Sequence, residues 1–415
     1  MLKMRIICAV ALVSWVWGHQ LQAAEDWPPS VVESNGRQVE VFRHGIRKQW
    51  GYQKSQNDTA IVVYPKIERK NAPLYVVLHS AGHNVYSAVK CTNQVGNHDI
   101  YRSPDNFYAL YLDCRSSKID WWWGGRNPYP DALDQEKKGG ALSPAEKRVI
   151  DTVKWAIEKY GIDPNRVYLC GNSMGGSGTL GIGVRHGDIF AAIKANVPAG
   201  IEHVSDRMYL TSKSVPEGVK LPDPPVVIDY SGSNDQWSKG HEQFVQAMND
   251  RKYPLYFYWG PFGHGNNSAA IMQHNDLVHS FDWLNVKKDE PYAVFSNASC
   301  NSKLPQFGTR TVKATGQVNA FFRWKNIADT SKMFKMSLYL LSAKDLKTKF
   351  KIPKYATVDV SLRRIQNMQV KPGQRFNWSF GADKGTVTAD QEGVITIARL
   401  NIKDTPTTLT MLLYK

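Results

Sequence analysis

Val167-Tyr168-Leu169-Cys170-Gly171-Asn172-Ser173-Met174-Gly175-Gly176 is the stretch from which the rest of the chain can be read. An apolar run of strand length enters the pattern G-x-S-x-G, and Gly176 with further apolar residues follows. A strand that turns at once into a helix brings two backbones close together. Small residues must therefore flank the central position, whose side chain is thrust out at the head of the helix on a strained backbone. Ser173 in that place is a candidate nucleophile. The plain alternative is a glycine-rich turn that holds a phosphate or nothing.

Upstream, Ser143-Pro144-Ala145-Glu146 is a capping box with proline at the first helical position. Val149, Ile150, Val153, Ala156, Ile157 and Tyr160 follow at helical spacing, and Gly161 stops the helix. Strand-length apolar runs lie at Leu74 to Leu78, Tyr108 to Leu112, Val167 to Leu169, Ala191 to Asn196, Val226 to Tyr230 and Leu255 to Trp259. Their alternation with longer amphipathic stretches, from about Tyr64 to Trp283, predicts an α/β fold with a mostly parallel sheet flanked by helices.

A serine hydroxyl needs a base to take its proton, and in this strand-turn-helix setting the expected chain order is Ser, Asp, His. Val226-Val227-Ile228-Asp229-Tyr230 leads into Ser231-Gly232-Ser233-Asn234-Asp235, which puts Asp235 in the loop past an apolar strand. Asp229 is the rival, but it sits inside the strand, where an isolated carboxylate is costly. Leu255 to Trp259 leads to Pro261-Phe262-Gly263-His264-Gly265, which presents His264 on a glycine-flanked loop. His241, His274 and His279 fall in expected helices. For the oxyanion, the N–H after the nucleophile belongs to Met174, and the loop His79-Ser80-Ala81-Gly82 offers Ala81 as second donor, with Ser80 the alternative.

These residues resemble the α/β-hydrolase superfamily, and within it the secreted serine esterases of the feruloyl/acetylxylan esterase and polyhydroxybutyrate depolymerase type. The resemblance spans roughly residues 73–283. It rests on Leu78-His79-Ser80-Ala81-Gly82, Trp121-Trp122-Trp123-Gly124-Gly125, Tyr160-Gly161-Ile162-Asp163-Pro164-Asn165-Arg166-Val167-Tyr168, the turn at Ser173 and Phe190-Ala191-Ala192-Ile193. It implies an α/β-hydrolase fold and a triad of Ser173, Asp235 and His264. It also implies a substrate pocket walled by the aromatic segment, with Trp121, Trp122, Trp123 and His79 as candidate substrate-binding residues. The chemistry so implied calls for no metal and no cofactor. One departure is plain: Ser80 and Ala81 replace the glycines usual after His79. Prolyl-oligopeptidase-like peptidases share the motif and the triad order, so the pattern specifies the fold more sharply than the substrate.

The chain has 415 residues, a length that suits two domains. Lys3 and Arg5 precede an apolar run from Ile6 to Trp17, and Leu21-Gln22-Ala23 offers a small residue for cleavage. That is a signal-peptide pattern over 1–24, so a secreted or periplasmic protein with a mature start near Ala24 is expected; an uncleaved anchor is the other reading. No segment approaches about 18 consecutive apolar residues, and stable membrane insertion is not expected. An oxidising compartment permits disulfides. Cys91 and Cys114 bracket a turn-rich stretch and are the expected pair, while Cys170 reads as a buried thiol.

The net charge of +15 is uneven. Residues 301–415 carry 20 basic and 7 acidic side chains, against 30 of each in 25–300. Lys287-Lys288-Asp289-Glu290-Pro291 reads as a linker, giving a catalytic domain over 25–290 and a basic β-sandwich over 291–415. The sandwich is read from the alternating runs Thr357 to Leu362, Phe376 to Phe380, Val394 to Ile397 and Leu409 to Leu413. Such a module suits an anionic polysaccharide, or is simply a solvated lysine-rich surface; no nucleic-acid motif accompanies the charge. The function expected from the whole is cleavage of carboxylic esters, acetyl or feruloyl groups on plant or algal polysaccharides. A serine peptidase and a non-catalytic binding protein on the same fold are the alternatives.

Overall fold

The computed structural model describes residues 30–34, 36–44, 50, 58–67, 69–91, 99–114, 122, 142–201, 208, 221–265, 276–342, 344, 346 and 350–414. The expected signal segment 1–24 lies outside them, as do His274, Trp121 and Trp123.

The chain opens with antiparallel strands β1 (Ser30–Ser34), β2 (Arg37–His44) and β3 (Asp58–Val63). It continues through β4 (Leu74–Leu78), α1 (Val85–Cys91), β5 (Tyr108–Leu112), α2 (Pro144–Lys159), β6 (Val167–Asn172), α3 (Met174–Gly183) and β7 (Ala192–Asn196). Then come β8 (Val226–Gly232), α4 (His241–Asp250), β9 (Leu255–Gly260) and the short α5 (Asp276–His279). One sheet runs β1-β2-β3-β5-β4-β6-β7-β8-β9-β11, and the six strands from β4 to β9 are mutually parallel. This order, with antiparallel strands leading into a parallel set that crosses over at β4, is the α/β-hydrolase fold. Strand order reverses at β4, whose neighbours are β5 and β6, so the ends of β4 and β6 open the crevice where ligands lodge in such sheets.

Strands β4, β5, β6, β8 and β9 are buried along their whole length, as expected of parallel strands covered on both faces. Helix α2 begins with the capping box: Glu146 N donates to Ser143 Oγ at 3.1 Å and Ser143 N to Glu146 Oε2 at 3.4 Å. The Glu146 carboxylate is fully buried and also pairs with Arg185, just past α3. One acidic residue thus caps one helix and ties it to the next.

The C-terminal part adds β10 (Tyr292–Ser296), β11 (Gly316–Val318), β12 (Phe322–Asp329), β13 (Met333–Leu340), β14 (Tyr355–Arg363), β15 (Arg375–Phe380), β16 (Asp383–Thr388), β17 (Ile395–Lys403) and β18 (Thr407–Leu413). A three-stranded sheet β10-β14-β17 and a five-stranded sheet β12-β13-β18-β15-β16, both antiparallel, form the β-sandwich. Its core includes Phe334 and Met336 of β13, Val358 and Val360 of β14, Ile395 and Ile397 of β17, and Leu409 and Met411 of β18.

The two parts are not strung on a loose tether. Lys288 Nζ donates to Asp188 O at 2.7 Å and Asn165 Nδ2 to Asp289 at 3.0 Å, so the stretch read as a linker is fastened to the hydrolase body. Moreover, β11, well past that stretch, pairs antiparallel with β9 and closes the large sheet. Arg364 caps the carbonyls of Gly187, Phe190 and Ala191, and Arg363 those of Arg251 and Lys252.

Among the described residues there is no disulfide. The side chain of Cys91 lies outside them, and with it the expected Cys91–Cys114 bridge. Cys170 is a buried thiol, and burial pushes its pKa up to about 12.

Candidate active site

The four segments that carry the candidate residues leave the C-terminal ends of β4, β6, β8 and β9, on one edge of the sheet. Ser173 follows β6 with φ 57° and ψ −116°, a conformation an L-residue adopts only under restraint. The restraint is visible. Its N–H donates to Asn196 O at 2.9 Å, and its carbonyl accepts from Ser177 N at 3.0 Å and Ala199 N at 3.1 Å. Two positions on, a Cβ added to Gly175 would run into the carbonyl oxygen of Leu78, so glycine is what lets α3 start against the end of β4.

His264 Nε2 stands 2.7 Å from Ser173 Oγ, and Nδ1 of the same ring 2.7 Å from Asp235 Oδ2. Asp235 is buried, and its other oxygen accepts from Trp237 N at 2.9 Å, capping the turn Gln236–Ser238. With Nδ1–H donated to the carboxylate, Nε2 is left to accept the Ser173 proton, so the arrangement is competent for base-assisted attack by a serine oxygen.

No family model and no curated protein matches this chain. Solved structures similar to it include an S-formylglutathione hydrolase from Agrobacterium tumefaciens, 12% identical, covering 59% of this chain and 96% of that one with a TM-score of 0.43. An acetyl xylan esterase from Aspergillus awamori is 14% identical over 55% of this chain and 94% of its own, with a TM-score of 0.39. A putative dipeptidyl aminopeptidase IV from Bacteroides ovatus is 17% identical over 59% of this chain and 34% of its own, with a TM-score of 0.38.

Asp229, the rival carboxylate, is held elsewhere. It is fully buried, and its Oδ2 lies 3.0 Å from His241 Nε2, with Ser231 Oγ 3.0 Å from the same nitrogen. His241 Nδ1 donates to Ser238 O at 2.6 Å, and Ser238 Oγ donates to Asp235 O at 2.6 Å. The His241 ring is stacked on Phe257 at 4.9 Å with an interplanar angle of 2°. A buried polar column therefore stands beneath the Asp235 loop. From the far side, Ser233 Oγ donates to Val312 O at 3.2 Å and accepts from Ala314 N at 2.9 Å, while Arg310 reaches Gln236 at 3.0 Å. Residues from past the expected domain boundary thus clasp this loop.

Of the oxyanion candidates, Met174 N–H opens α3, where the helix end favours negative charge. Ala81 lies in an exposed turn after β4. Ser80 is not available for that role: its N–H donates to Tyr101 Oη at 2.8 Å, and its Oγ sits 2.7 Å from the same oxygen. Burial, then the neighbouring His79 ring, lowers the pKa of His83 in this loop.

Two expected substrate contacts are corrected. His79 is 1% exposed; its Nδ1 donates to Ser80 O at 2.8 Å and its Nε2 accepts from Cys114 N at 2.9 Å, so no face of the ring is left for substrate. Trp122 is fully buried, its indole N–H donates to His79 O at 3.0 Å, and its Cβ fills the place a side chain on Gly178 would take. His79 ties the β4 loop to the end of β5, and Trp122 packs that loop against α3. Sequence reasoning passed over Trp237, which is 36% exposed with its ring centroid 6.4 Å from that of His264. The one available signal was its place two residues after Asp235.

Proposed function

We propose that the chain is an exported serine esterase that hydrolyses carboxylic esters, with acetyl or feruloyl groups on plant or algal polysaccharides as its substrate class. The observation that carries this reading is the pair of 2.7 Å hydrogen bonds linking Ser173, His264 and Asp235. Ser173 Oγ attacks the ester carbonyl as His264 Nε2 takes its proton, and Asp235 orients the ring and stabilises the imidazolium. The Met174 and Ala81 N–H groups receive the oxyanion. Collapse of the tetrahedral intermediate expels the alcohol, which takes the proton from His264 and leaves an acyl-serine. Water, deprotonated by the same histidine, then attacks the acyl-serine and releases the acid.

Trp237 supports the substrate class, because an exposed indole beside the reacting atoms suits the apolar face of a sugar or an aromatic acyl group. The cationic start and apolar run before Ala23 support export, and the basic last quarter supports a polyanionic carrier for the ester. The test is turnover of aryl acetates, acetylated xylan, methyl ferulate and a chromogenic peptide, by the protein and by Ser173→Ala. Ester cleavage that falls about 10³-fold or more in the variant is expected. Cleavage of the peptide alone would replace the reading with a peptidase, and turnover unchanged in Ser173→Ala would remove Ser173 from the reaction.

A further inference from the structure

Part of the positive excess of the last quarter lies on one face of the five-stranded sheet. In the five-stranded sheet the side chains of Phe334, Met336, Leu338, Phe376, Phe380, Leu409 and Met411 point into the sandwich core. The alternate positions form the opposite face. Cross-strand register places Lys335 opposite Thr410, Thr410 opposite Ser379, and Ser379 opposite Lys384, one row across four strands. The adjacent row pairs Lys325 with Ser337 and Ser337 with Thr408, whose hydroxyls lie 3.2 Å apart. On the other side Leu412 faces Asn377, which faces Thr386, and Arg375 pairs with Thr388. Four cations thus frame a strip of hydroxyl and amide groups about 14 Å wide between Lys335 and Lys384, at about 4.8 Å per strand.

The acidic residues of this sheet do not share that face. Asp383 pairs with Phe380, in register with the inward set. Asp329 is turned to the backbone N–H groups of Gln366, Asn367 and Met368. None of the four cations is paired with a carboxylate among the described residues, whereas Lys252, Arg251 and Arg363, at the seam with the hydrolase body, each hold one. Two tyrosines stiffen the frame: Lys325 lies over the Tyr339 ring at 5.0 Å and Arg375 over Tyr414 at 4.2 Å.

We infer that this face of the β-sandwich is a docking surface for an extended anionic polysaccharide, its sulfate or carboxylate groups received by Lys325, Lys335, Arg375 and Lys384 and its hydroxyls by the threonine strip. Charge complementarity selects a polyanion. The strip selects a hydroxyl-rich one, since Leu412 and Tyr414 are the large hydrophobic side chains exposed there, too few for insertion among lipid chains. The inference extends the polymer-ester reading by naming where the carrier is held, and its test does not depend on turnover.

The test compares the whole protein with K325Q/K335Q/R375Q/K384Q and with K303Q/K354Q/K371Q/K403Q, which removes the same charge from exposed lysines outside this sheet. Binding is measured to heparin, a polyuronate and neutral xylan, and to vesicles of phosphatidylglycerol, over a salt series. The expected result is binding to heparin and polyuronate, weakened at least tenfold in the first variant and less than threefold in the second, with neutral xylan unbound. Both variants should keep full turnover of a soluble aryl acetate. Equal loss in the two variants would reduce the effect to net charge and overturn the inference, as would tighter binding to the vesicles than to the polysaccharides. Loss of aryl acetate turnover in the wild type would instead strike the esterase reading and leave this result standing.

Discussion

Two aspartates six positions apart meet two histidines, and the side chains divide the work by burial. Asp235 reaches a ring that is 30% exposed on the crevice edge, while Asp229 reaches one sealed beneath it. Replacing each by asparagine should separate the two. Asp235→Asn keeps the shape but favours the wrong tautomer of His264, so kcat should fall by about 10⁴ with little change in melting temperature. Asp229→Asn disturbs a fully buried hydrogen-bonded group and should lower stability by about 1–3 kcal/mol, read in a urea titration. Its effect on kcat should be the smaller of the two. The reverse pattern would exchange their assignments.

At the scale of elements, periodicity and turn chemistry made much of the sheet legible. Leu74–Leu78 and Tyr108–Leu112 are strands over the residues read from sequence, and the capping box at Ser143 starts α2 where its pattern placed it. Much of what escaped depends on long-range partners. The N-terminal strands do carry a local signal, Val39-Glu40-Val41 alternating in β2 and Ile61-Val62-Val63 β-branched in β3, which a reading begun at Tyr64 leaves out. By contrast, β11 is three residues long, and Trp122 resembles a pocket wall until its backbone turns it inward. The column from Asp229 to Ser238 joins β8 to the start of α4 and is invisible to any motif. Cys170, read as a buried thiol, lies in β6 between β4 and β7. With its pKa near 12, about one thiol in ten thousand is ionised at pH 8, so the folded protein should resist iodoacetamide at this position. Peptide mapping should find Cys170 labelled only after denaturation, and rapid labelling of the native protein would contradict the burial described.

Taken whole, the molecule is laced together across the charged stretch near Pro291. Val312 and Ala314 clasp the Asp235 loop, Phe307 packs on His241, and β11 completes the sheet. A chain ending at residue 290 should therefore be insoluble or inactive, whereas one ending at Lys415 without residues 1–24 should be soluble and active; soluble expression and aryl acetate turnover check both. A soluble, fully active 25–290 fragment would show that the clasp is dispensable. Strand β9, buried along its whole length as Leu255-Tyr256-Phe257-Tyr258-Trp259-Gly260, has β8 on one side and β11 on the other. During synthesis, at about 5–20 residues per second, that aromatic edge emerges well before Gly316 does. For those seconds it is an open template for pairing with another nascent chain. The interval before β11 arrives is thus when this protein is most exposed to aggregation, and slowing translation between β9 and β11 should lower its yield more than slowing it anywhere after.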